Sequence, residues 1–112
     1  MIGRYPAKLD EKNRLFVPAK LRSEMGDDFY ITLGVNCGHR CLTVYTAGDW
    51  QKLQDNYNEL PISQRSAATS LIFMYATECA PDKQFRFGVT QSLLEYAGIN
   101  REVMIVGRAG QA

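Results

Sequence analysis

Residues 10–26, DEKNRLFVPAKLRSEMG, and residues 82–98, DKQFRFGVTQSLLEYAG, are two diverged copies of one pattern. They are offset by 72 positions and share five of their 17 residues. Each copy has the same order of features: an Asp, three residues, an Arg, a short apolar stretch, a short helical stretch, a Gly and a β-rich segment. Because two copies are too few for a solenoid, the repeat predicts a pseudo-symmetric pair of units within one chain.

The length and composition favour a small, well-packed domain. The 112 residues are 46% hydrophobic and 22% charged, which predicts a packed core rather than a disordered chain. The longest apolar run, Leu71–Ala76, is far shorter than the ~20 residues that span a bilayer, and the N-terminal residues lack an apolar signal core. Three cysteines are too few for a disulfide scaffold. We therefore expect a cytoplasmic protein with reduced thiols and no membrane contact.

Charge is distributed unevenly along the chain, although the net charge is only +1. Residues 1–22 carry six basic and two acidic side chains, whereas residues 23–64 carry two basic and six acidic ones. A basic N-terminal segment beside a neutral body is suited to meeting a polyanion on one face. The alternative is a solvated charged surface without a partner.

Strand-forming and helix-forming segments alternate in both copies. In the first copy we predict strands at residues 5–9, 14–17, 28–33 and 41–46, a loop at 34–40, and helices at 19–25, ended by Gly26, and at 50–59, capped by Asp49. In the second copy we predict strands at 78–81, 86–89 and 102–106, the last preceded by one extra residue, and a helix at 91–97 between Thr90 and Gly98.

A helix at residues 63–77 is predicted to link the two copies. Its helical spacing places Ala67, Leu71 and Met74 or Tyr75 on one face, which we expect to point into the core. The stretch from Leu71 to Tyr75 is apolar on every side, which leaves a subunit interface as the functional alternative to a buried helix.

The predicted organisation is an α+β fold with a first repeat at 1–60, a linking helix at 61–77 and an incomplete second repeat at 78–112. The second repeat has no counterpart of the strand at 41–46 or of the helix after it. We therefore expect the last strand to have an unpaired edge, covered by a neighbouring chain or by the tail at 107–112.

The ordered set of motifs resembles the MraZ family of bacterial regulators over roughly residues 3–107. Any single motif is weak, since Asp-x-x-x-Arg is common by chance, but the ordered set with its internal repeat is specific. The residues that carry the resemblance are Gly3-x-Tyr5, Leu9-Asp10-x-Lys12-x-Arg14, Val17-Pro18-Ala19-Lys20-x-Arg22, Cys41-Leu42-Thr43-Val44-Tyr45, Asp49-Trp50, Ala76-Thr77-Glu78-Cys79, Asp82-Lys83-Gln84-x-Arg86 and Tyr96-Ala97-Gly98.

The resemblance implies a fold of two pseudo-symmetric swapped-hairpin β-barrel repeats of the AbrB/SpoVT type with short helices. It further implies a sequence-specific, nucleoid-associated regulator of transcription that binds double-stranded DNA. Such a protein is a ring-shaped homo-oligomer on repeated short sites in the promoter of the division and cell-wall gene cluster. An enzyme activity, a cofactor, a metal and a small-molecule substrate are not expected.

In MraZ-like proteins the Asp-x-x-x-Arg loop faces the DNA, which gives Arg14 and Arg86 the role of contacting base edges. The planar guanidinium suits this role because it can bond guanine O6 and N7 together and is always charged. Lys8, Lys12 and Lys83 suit phosphates, as point charges on flexible stems. The alternative for each arginine is a surface pair with an aspartate, worth ~0–1 kcal/mol.

Three further residues are expected to shape the loops. A carboxylate facing phosphate is repelled, so Asp10 and Asp82 are expected to accept turn amide protons instead. The family's usual Gly before the Arg is Asn13 in the first copy and Phe85 in the second. Asn adopts positive φ readily, whereas Phe is strained there. We therefore expect a different shape for the second turn and a smaller contribution from Arg86.

Two other functions stay open. One is an AbrB-like antitoxin or small regulator that works with a protein partner, and the other is an oligomerisation module whose DNA loop has decayed. A zinc site from Cys37, His39, Cys41 and Cys79 lacks the close ligand pairs of structural zinc sites, so ordinary thiols are favoured. The sequence contains no P-loop, dinucleotide motif or His-Glu-x-x-His, which argues against catalysis.

Overall fold

The structure of the chain is a computed structural model, which describes residues 3–36 and 38–107. The fold is α+β, with seven short strands and four α-helices among these residues. In chain order the elements are β1 (Gly3–Lys8), β2 (Arg14–Phe16), a 3-10 turn (Ala19–Leu21), α1 (Arg22–Met25), β3 (Phe29–Asn36), β4 (His39–Thr46), α2 (Ala47–Glu59), a 3-10 turn (Ile62–Gln64), α3 (Ala67–Tyr75), β5 (Thr77–Cys79), β6 (Arg86–Gly88), α4 (Gln91–Ala97) and β7 (Glu102–Gly107).

The strands of the two copies pair with each other. β1 lies antiparallel to β7, and β2 lies antiparallel to β6 with Leu15 opposite Phe87. A third antiparallel sheet has the order β4-β3-β5. The described strands thus form small separate sheets rather than a closed barrel. Among them β7 pairs with β1 alone, which agrees with the expected open edge; the tail proposed to cover it, from residue 108 onward, lies outside the described residues.

The strand register shows how far the repeat extends. Phe29 lies opposite Cys79, and Val103 lies opposite Ala7. Cys79 and Ala7 are equivalent at the 72-residue offset, so Phe29 is equivalent to Val103, 74 positions later. The second copy therefore has two extra residues before its last strand. The prediction of one extra residue is wrong, because the equivalence of β3 and β7 follows from the strands with which they pair, β5 and β1.

The core is built from equivalent positions of both copies. Its buried apolar residues are Leu9, Leu15, Val17, Leu21, Met25, Phe29, Ile31, Cys79, Phe87, Val89, Leu93 and Leu94. The rings of Phe29 and Phe87 meet edge to face with centroids 5.1 Å apart, a contact worth ~0.5–1.5 kcal/mol beyond the area that it buries. A single core therefore includes residues of both copies, and it supports the β2–β6 pair from beneath.

Short side chains and glycine set the ends of the helices. α4 has the predicted bounds: the Thr90 hydroxyl accepts a hydrogen bond from the Leu93 amide (3.4 Å), and Gly98 ends the helix in the left-handed conformation. α2 begins three residues earlier than predicted. Its N-terminus is capped by Thr46, whose hydroxyl accepts from the Asp49 amide (3.3 Å), so the prediction of Asp49 as the cap is wrong.

The predicted loop at 34–40 is also wrong, because β3 and β4 continue into a tight hairpin. In the sequence Gly34 indicates the end of a strand, but it lies within β3, opposite Cys41. A Cβ at this position would clash with the Thr43 side chain. Gly34 is therefore needed for the close approach of a neighbouring side chain within the sheet.

α3 is shorter than the linking helix predicted at 63–77, and its inward face differs from the predicted one. The inward residues are Ile72, whose carbonyl accepts a hydrogen bond from the buried Thr32 hydroxyl (2.5 Å), and Phe73, whose ring packs on Trp50 (centroids 5.3 Å apart). The residues predicted to face inward, Ala67, Leu71, Met74 and Tyr75, are exposed instead. The helix thus presents an apolar stripe to the outside.

Candidate nucleic-acid interface

The first Asp-x-x-x-Arg segment forms a tight turn between β1 and β2 around the Asp10 carboxylate. Oδ1 of Asp10 accepts hydrogen bonds from the amides of Lys12 (2.9 Å) and Arg14 (2.8 Å), and Oδ2 accepts one from Nε of Arg14 (2.7 Å). Two backbone bonds close the turn, from the Asp10 amide to the Arg14 carbonyl (2.9 Å) and from the Asn13 amide to the Asp10 carbonyl (3.1 Å). The carboxylate therefore fixes both the backbone and the guanidinium.

The second segment forms the same turn between β5 and β6. Oδ1 of Asp82 accepts from the amides of Gln84 (2.9 Å) and Arg86 (3.0 Å), and Oδ2 accepts from Nε of Arg86 (2.9 Å). The amide of Asp82 donates to the Arg86 carbonyl (2.9 Å), and the amide of Phe85 donates to the Asp82 carbonyl (2.9 Å). Each bond of the first turn thus has its equivalent in the second.

The expectation that Phe85 gives its turn a different shape is wrong. Its φ is 60°, and φ at the equivalent Asn13 is 57°. A guanidinium supports the Phe85 ring: Cζ of Arg22 lies 3.8 Å from the ring centroid, and Nε of Arg22 donates to the Val17 carbonyl (3.1 Å). A cation–π contact of this kind contributes ~0.5–2 kcal/mol, which offsets the strain of a positive φ.

The hydrogen bonds of both turns lower the pKa of their carboxyl groups. At Asp10 partial desolvation raises the pKa, but the amide and guanidinium of Arg14 and a neighbouring amide outweigh it, and the pKa lies below its ordinary value. At Asp82 the Arg86 amide is the largest cause of a lowered pKa, and the Arg86 guanidinium adds to it. Both carboxylates are therefore charged at neutral pH.

The β2–β6 pair brings the two arginines onto one outer face. Alternate residues of a strand point to opposite faces, and Leu15 and Phe87 point into the core. Arg14 lies opposite Gly88 on the other face, and Arg86 belongs to the same face two positions along. The arginines are therefore diagonal neighbours, ~7–8 Å apart at the backbone. Their side chains are 28% and 24% exposed, respectively.

The three candidate lysines occupy less equivalent places. Lys12 and Lys83 are exposed in the two turns, but Lys12 is equivalent to Gln84, and Lys83 to Glu11. Lys8 lies at the end of β1, with its Nζ 3.9 Å from Oε1 of Glu102 across the strand pair. Exposed pairs of this length contribute little, so the Lys8 charge remains largely solvated.

This arrangement can present oriented N–H donors to an anion or a base. A guanidinium has five N–H donors, so a bond to one carboxylate leaves others for a second acceptor. The carboxylate also reduces the rotamer freedom that each arginine has to lose on binding. The two turns therefore form a pre-organised pair of donors on one exposed ribbon.

Sequence reasoning missed two residues of this region. Phe16 shares the outer face with the arginines and lies opposite Arg86; its alternation with Arg14 along β2 was a signal for it. Arg22 supports Phe85 from α1, a contact between the two copies that no local pattern reveals.

The described part of the chain contains neither a metal-binding cluster nor a membrane-spanning helix. Cys79 is buried in the core, where burial and then the charge of Glu78 raise its pKa to about 11, so its thiol stays protonated. The zinc site considered from the sequence also includes Cys37, which lies outside the described residues. Within residues 3–36 and 38–107, no three His, Cys, Asp or Glu side chains are grouped to hold a metal ion. No helix there has the length and apolar character needed to cross a membrane.

Comparison with known proteins supplies the family. The family model described as "MraZ protein, putative antitoxin-like" matches residues 1–71 and again residues 72–111. The chain belongs to the MraZ family. The predicted resemblance is thereby confirmed, and the double match agrees with the internal repeat.

MraZ relatives cover almost the whole chain. The transcriptional regulator MraZ of Halothermothrix orenii is 41% identical over 112 residues, which are 98% of this chain and 76% of the relative. That of Clostridium acetobutylicum is 41% identical over 108 residues (95% and 74%), and that of Caldicellulosiruptor bescii 39% over 109 residues (96% and 74%). These relatives are named as regulators rather than enzymes, in agreement with the expected non-catalytic function.

Proposed function

We propose that the chain is a sequence-specific transcriptional regulator that binds double-stranded DNA through the β2–β6 ribbon and its two turns. The observation that carries this proposal is the pair of identical Asp-x-x-x-Arg turns, whose arginines share one exposed face. A two-stranded β-ribbon fits the major groove of B-DNA, where base edges are distinguishable. The names of the MraZ relatives support a role in transcription.

In this proposal Arg14 and Arg86 contact guanine edges, and Lys12, Lys83 and Lys8 contact phosphates. The arginines are suited to bases because the carboxylates hold them in a fixed orientation, and bidentate contact needs such orientation. The lysines are suited to phosphates because they are exposed and flexible. Asp10, Asp82 and Asn13 act on DNA binding only through the shape of the turns.

The proposed fold is the swapped-hairpin arrangement of the AbrB/SpoVT type. Its support is the pairing of β1 and β2 with β7 and β6, so that strands of one copy complete the sheets of the other. In this arrangement the two turns precede antiparallel strands, at opposite ends of the short β2–β6 ribbon, and a pseudo-two-fold axis near Leu15 and Phe87 relates them.

We further propose a homo-oligomeric ring that presents several ribbons to repeated short sites, in the cytoplasm and at the nucleoid. The exposed apolar stripe of α3 supports the oligomer: Leu71, Met74 and Tyr75 lie on one helical face, and Met74 is 72% exposed. Among the described strands β7 has one edge without a partner strand, which is a second surface suited to self-association. The proposed target, the promoter of the division and cell-wall gene cluster, rests on the resemblance alone.

Fluorescence anisotropy tests the DNA-binding proposal directly. A labelled duplex from upstream of the chain's own gene is titrated at a stated salt concentration, and a scrambled duplex of the same composition is the control. We expect tighter binding to the upstream duplex by at least tenfold, a conservative threshold, since specific binding is typically ~10³-fold or more tighter than non-specific binding. Equal affinity for the two duplexes contradicts sequence-specific regulation.

Light scattering tests the oligomer. Met74→Lys places a charge in the apolar stripe of α3 and is expected to reduce the assembly size, whereas Gln64→Lys, an exposed site outside the stripe, is the matched control. An unchanged assembly size in the Met74 variant means that the stripe is not the interface.

An antitoxin-like regulator is a second candidate, because the matching family model is described as "antitoxin-like". Its signature is DNA binding that depends on a co-purified protein partner. The third candidate, an oligomerisation module with a decayed loop, has two grounds: the loss of both family glycines and the near-neutral net charge of +1. The first ground lapses, because both turns keep the same shape without glycine. A well-assembled chain that binds neither duplex would restore it.

A further inference from the structure

Phe16 is a large aromatic side chain in an unusual place. Its side chain is 51% exposed, and it stands on the outer face of the β2–β6 ribbon with both arginines. A single exposed apolar residue is common on protein surfaces and needs no explanation by itself. Its position between Arg14 along the strand and Arg86 across the ribbon is what gives it a function.

The hydrogen-bond ladder places Phe16 close to Arg86. The Val17 amide donates to the Phe85 carbonyl (2.8 Å), so the directly opposed residues Phe16 and Arg86 form a non-hydrogen-bonded pair. Side chains in such pairs lie closer together, with Cα atoms ~4.5 Å apart. The ring and the guanidinium therefore project side by side from the ribbon.

The equivalent position in the second copy has no side chain. Phe16 corresponds to Gly88 at the 72-residue offset, and Gly88 lies opposite Arg14. Each arginine thus has the same turn and the same carboxylate, but only Arg86 has an aromatic neighbour across the ribbon. The outer face is symmetric in its hydrogen-bond donors and asymmetric in its apolar surface.

We propose that Phe16 contacts the 5-methyl group of a thymine next to the guanine bound by Arg86, and that this contact gives the DNA site a direction. The inference rests on the proposed function and names a further specificity-determining residue for it. The thymine methyl is the apolar group that base edges offer in the major groove, and Phe is a side chain that contacts it. Burial of the exposed ring against this methyl favours binding.

Thymine replacement tests the contact atom by atom. Each thymine of a bound duplex is replaced singly by deoxyuridine, which removes only the 5-methyl group, and affinity is measured by anisotropy. Wild type is expected to lose about fourfold at one position, the effect of one buried methyl group. Phe16→Ala is expected to bind the thymine duplex more weakly and to show no difference between thymine and deoxyuridine there. Val35→Ala, at a 66% exposed apolar site on β3, is the matched control and keeps the difference.

A gain-of-function variant tests the asymmetry. A Cβ added at Gly88 would have no neighbouring atom within 4 Å, and φ at Gly88 is outside the region that favours glycine, so Gly88→Phe is accommodated. This variant is expected to acquire a second methyl-sensitive position, related to the first by the pseudo-two-fold axis. Circular dichroism and thermal melting are the controls that Phe16→Ala and Gly88→Phe are folded.

The outcomes separate this inference from the function on which it rests. Wild type that binds the upstream duplex but shows no methyl-sensitive position overturns the role of Phe16 alone, as does a Phe16→Ala variant that keeps the sensitivity. If Phe16→Ala changes the assembly size and keeps the methyl sensitivity, Phe16 belongs to a subunit contact, and this result also overturns the inference. Wild type that binds no duplex overturns the proposed function and the role of Phe16 together.

Discussion

The two turns of the molecule share one backbone but differ in their intervening side chains. Residues 10–14 read DEKNR and residues 82–86 read DKQFR, so three of the five positions differ. The five hydrogen bonds of each turn are the same, and φ at the fourth residue is 57° in one and 60° in the other. The Asp and Arg at the ends therefore determine the shape, and the positions between can change the charge of the surface.

The fourth position shows how the two copies solve the same backbone problem differently. Asn13 adopts positive φ at little cost. Phe85 adopts it beneath the Arg22 guanidinium, a contact from the other copy. The equivalent of Arg22 in the second copy is Leu94, which is buried in the core and offers no charge to Asn13. The positive φ of Phe85 is thus supported by a tertiary contact, whereas the positive φ of Asn13 needs no such support.

The largest effect that compares the turns is expected from their arginines. Because the two turns have the same shape, Arg14→Ala and Arg86→Ala are expected to weaken binding to the specific duplex equally, each by ~1–3 kcal/mol or about 5- to 150-fold. Each is expected to relax the preference at one base position. Anisotropy with single-base variants of the duplex measures both effects.

Lys52→Ala, an exposed cation on α2, is the control for the arginine variants and is expected to leave affinity unchanged. A much smaller effect of Arg86→Ala than of Arg14→Ala contradicts the equivalence of the turns. No effect of either variant removes the arginines from the interface.

A second effect is expected from the aspartates. Asp10→Asn and Asp82→Asn keep one oxygen for the turn amides, and this places the NH2 group, a donor, against Nε of the arginine. The charge-assisted bond to Nε is lost, so we expect weaker DNA binding than wild type, by less than removal of the arginine itself. The two variants are expected to have the same effect, and anisotropy on the same duplex measures it.

The same aspartates predict a pH dependence of stability. Their pKa values are lowered in the folded state below the ordinary value of 3.8. Their contribution is therefore fully present above pH 3.8 and is lost as the pH falls through the lowered values. The melting temperature of the Asp10→Asn/Asp82→Asn variant is expected to differ from that of wild type most at about pH 6 and least near about pH 2.5. A difference that grows towards low pH has the wrong sign for this account.

The sequence predicted the local signals of the fold well and the tertiary ones poorly. The Asp-x-x-x-Arg turns, the α4 helix between Thr90 and Gly98, and the α+β class all follow from residues close together in the chain. The inward face of α3 did not, because an apolar helix with Leu71 and Met74 at helical spacing does not indicate which side the core occupies. The prediction for Phe85 uses only the φ preference of phenylalanine, whereas its conformation is also supported by Arg22, which lies on another element.

A smaller effect on stability is expected at the fourth position of each turn. Phe85→Asn removes the strain of positive φ, but it also loses the contact with Arg22, so its net effect on the free energy of unfolding is within ~1 kcal/mol. In an Arg22→Ala background only the strain is relieved, and the same substitution is expected to stabilise the protein. A double-mutant cycle by urea unfolding is expected to give a coupling free energy of ~0.5–2 kcal/mol between Arg22 and Phe85.

Asn13→Phe is the matched test in the first turn. Phe is strained at positive φ, and the equivalent of Arg22 is the buried Leu94, so we expect this variant to be less stable by ~1–3 kcal/mol. A stability equal to wild type means that Phe is tolerated in these turns without a cation, and that the contact with Arg22 is incidental.

The smallest effects are expected at the third position of each turn, where the first turn has Lys12 and the second has Gln84. Both residues bond the turn through their backbone amides, so their side chains can be exchanged without breaking it. Lys12→Ala is expected to lower the salt dependence of binding by about one unit of slope, equally for specific and scrambled duplexes, and Gln84→Lys to raise it by about one. Both changes are expected to alter affinity only a few-fold at physiological salt, because one phosphate contact carries no base information. Titrations over a series of salt concentrations measure the slopes. If Lys12→Ala changes the slope and Gln84→Lys does not, the first turn lies closer to the phosphates than the second, and the pseudo-symmetry of the two turns does not extend to the bound DNA.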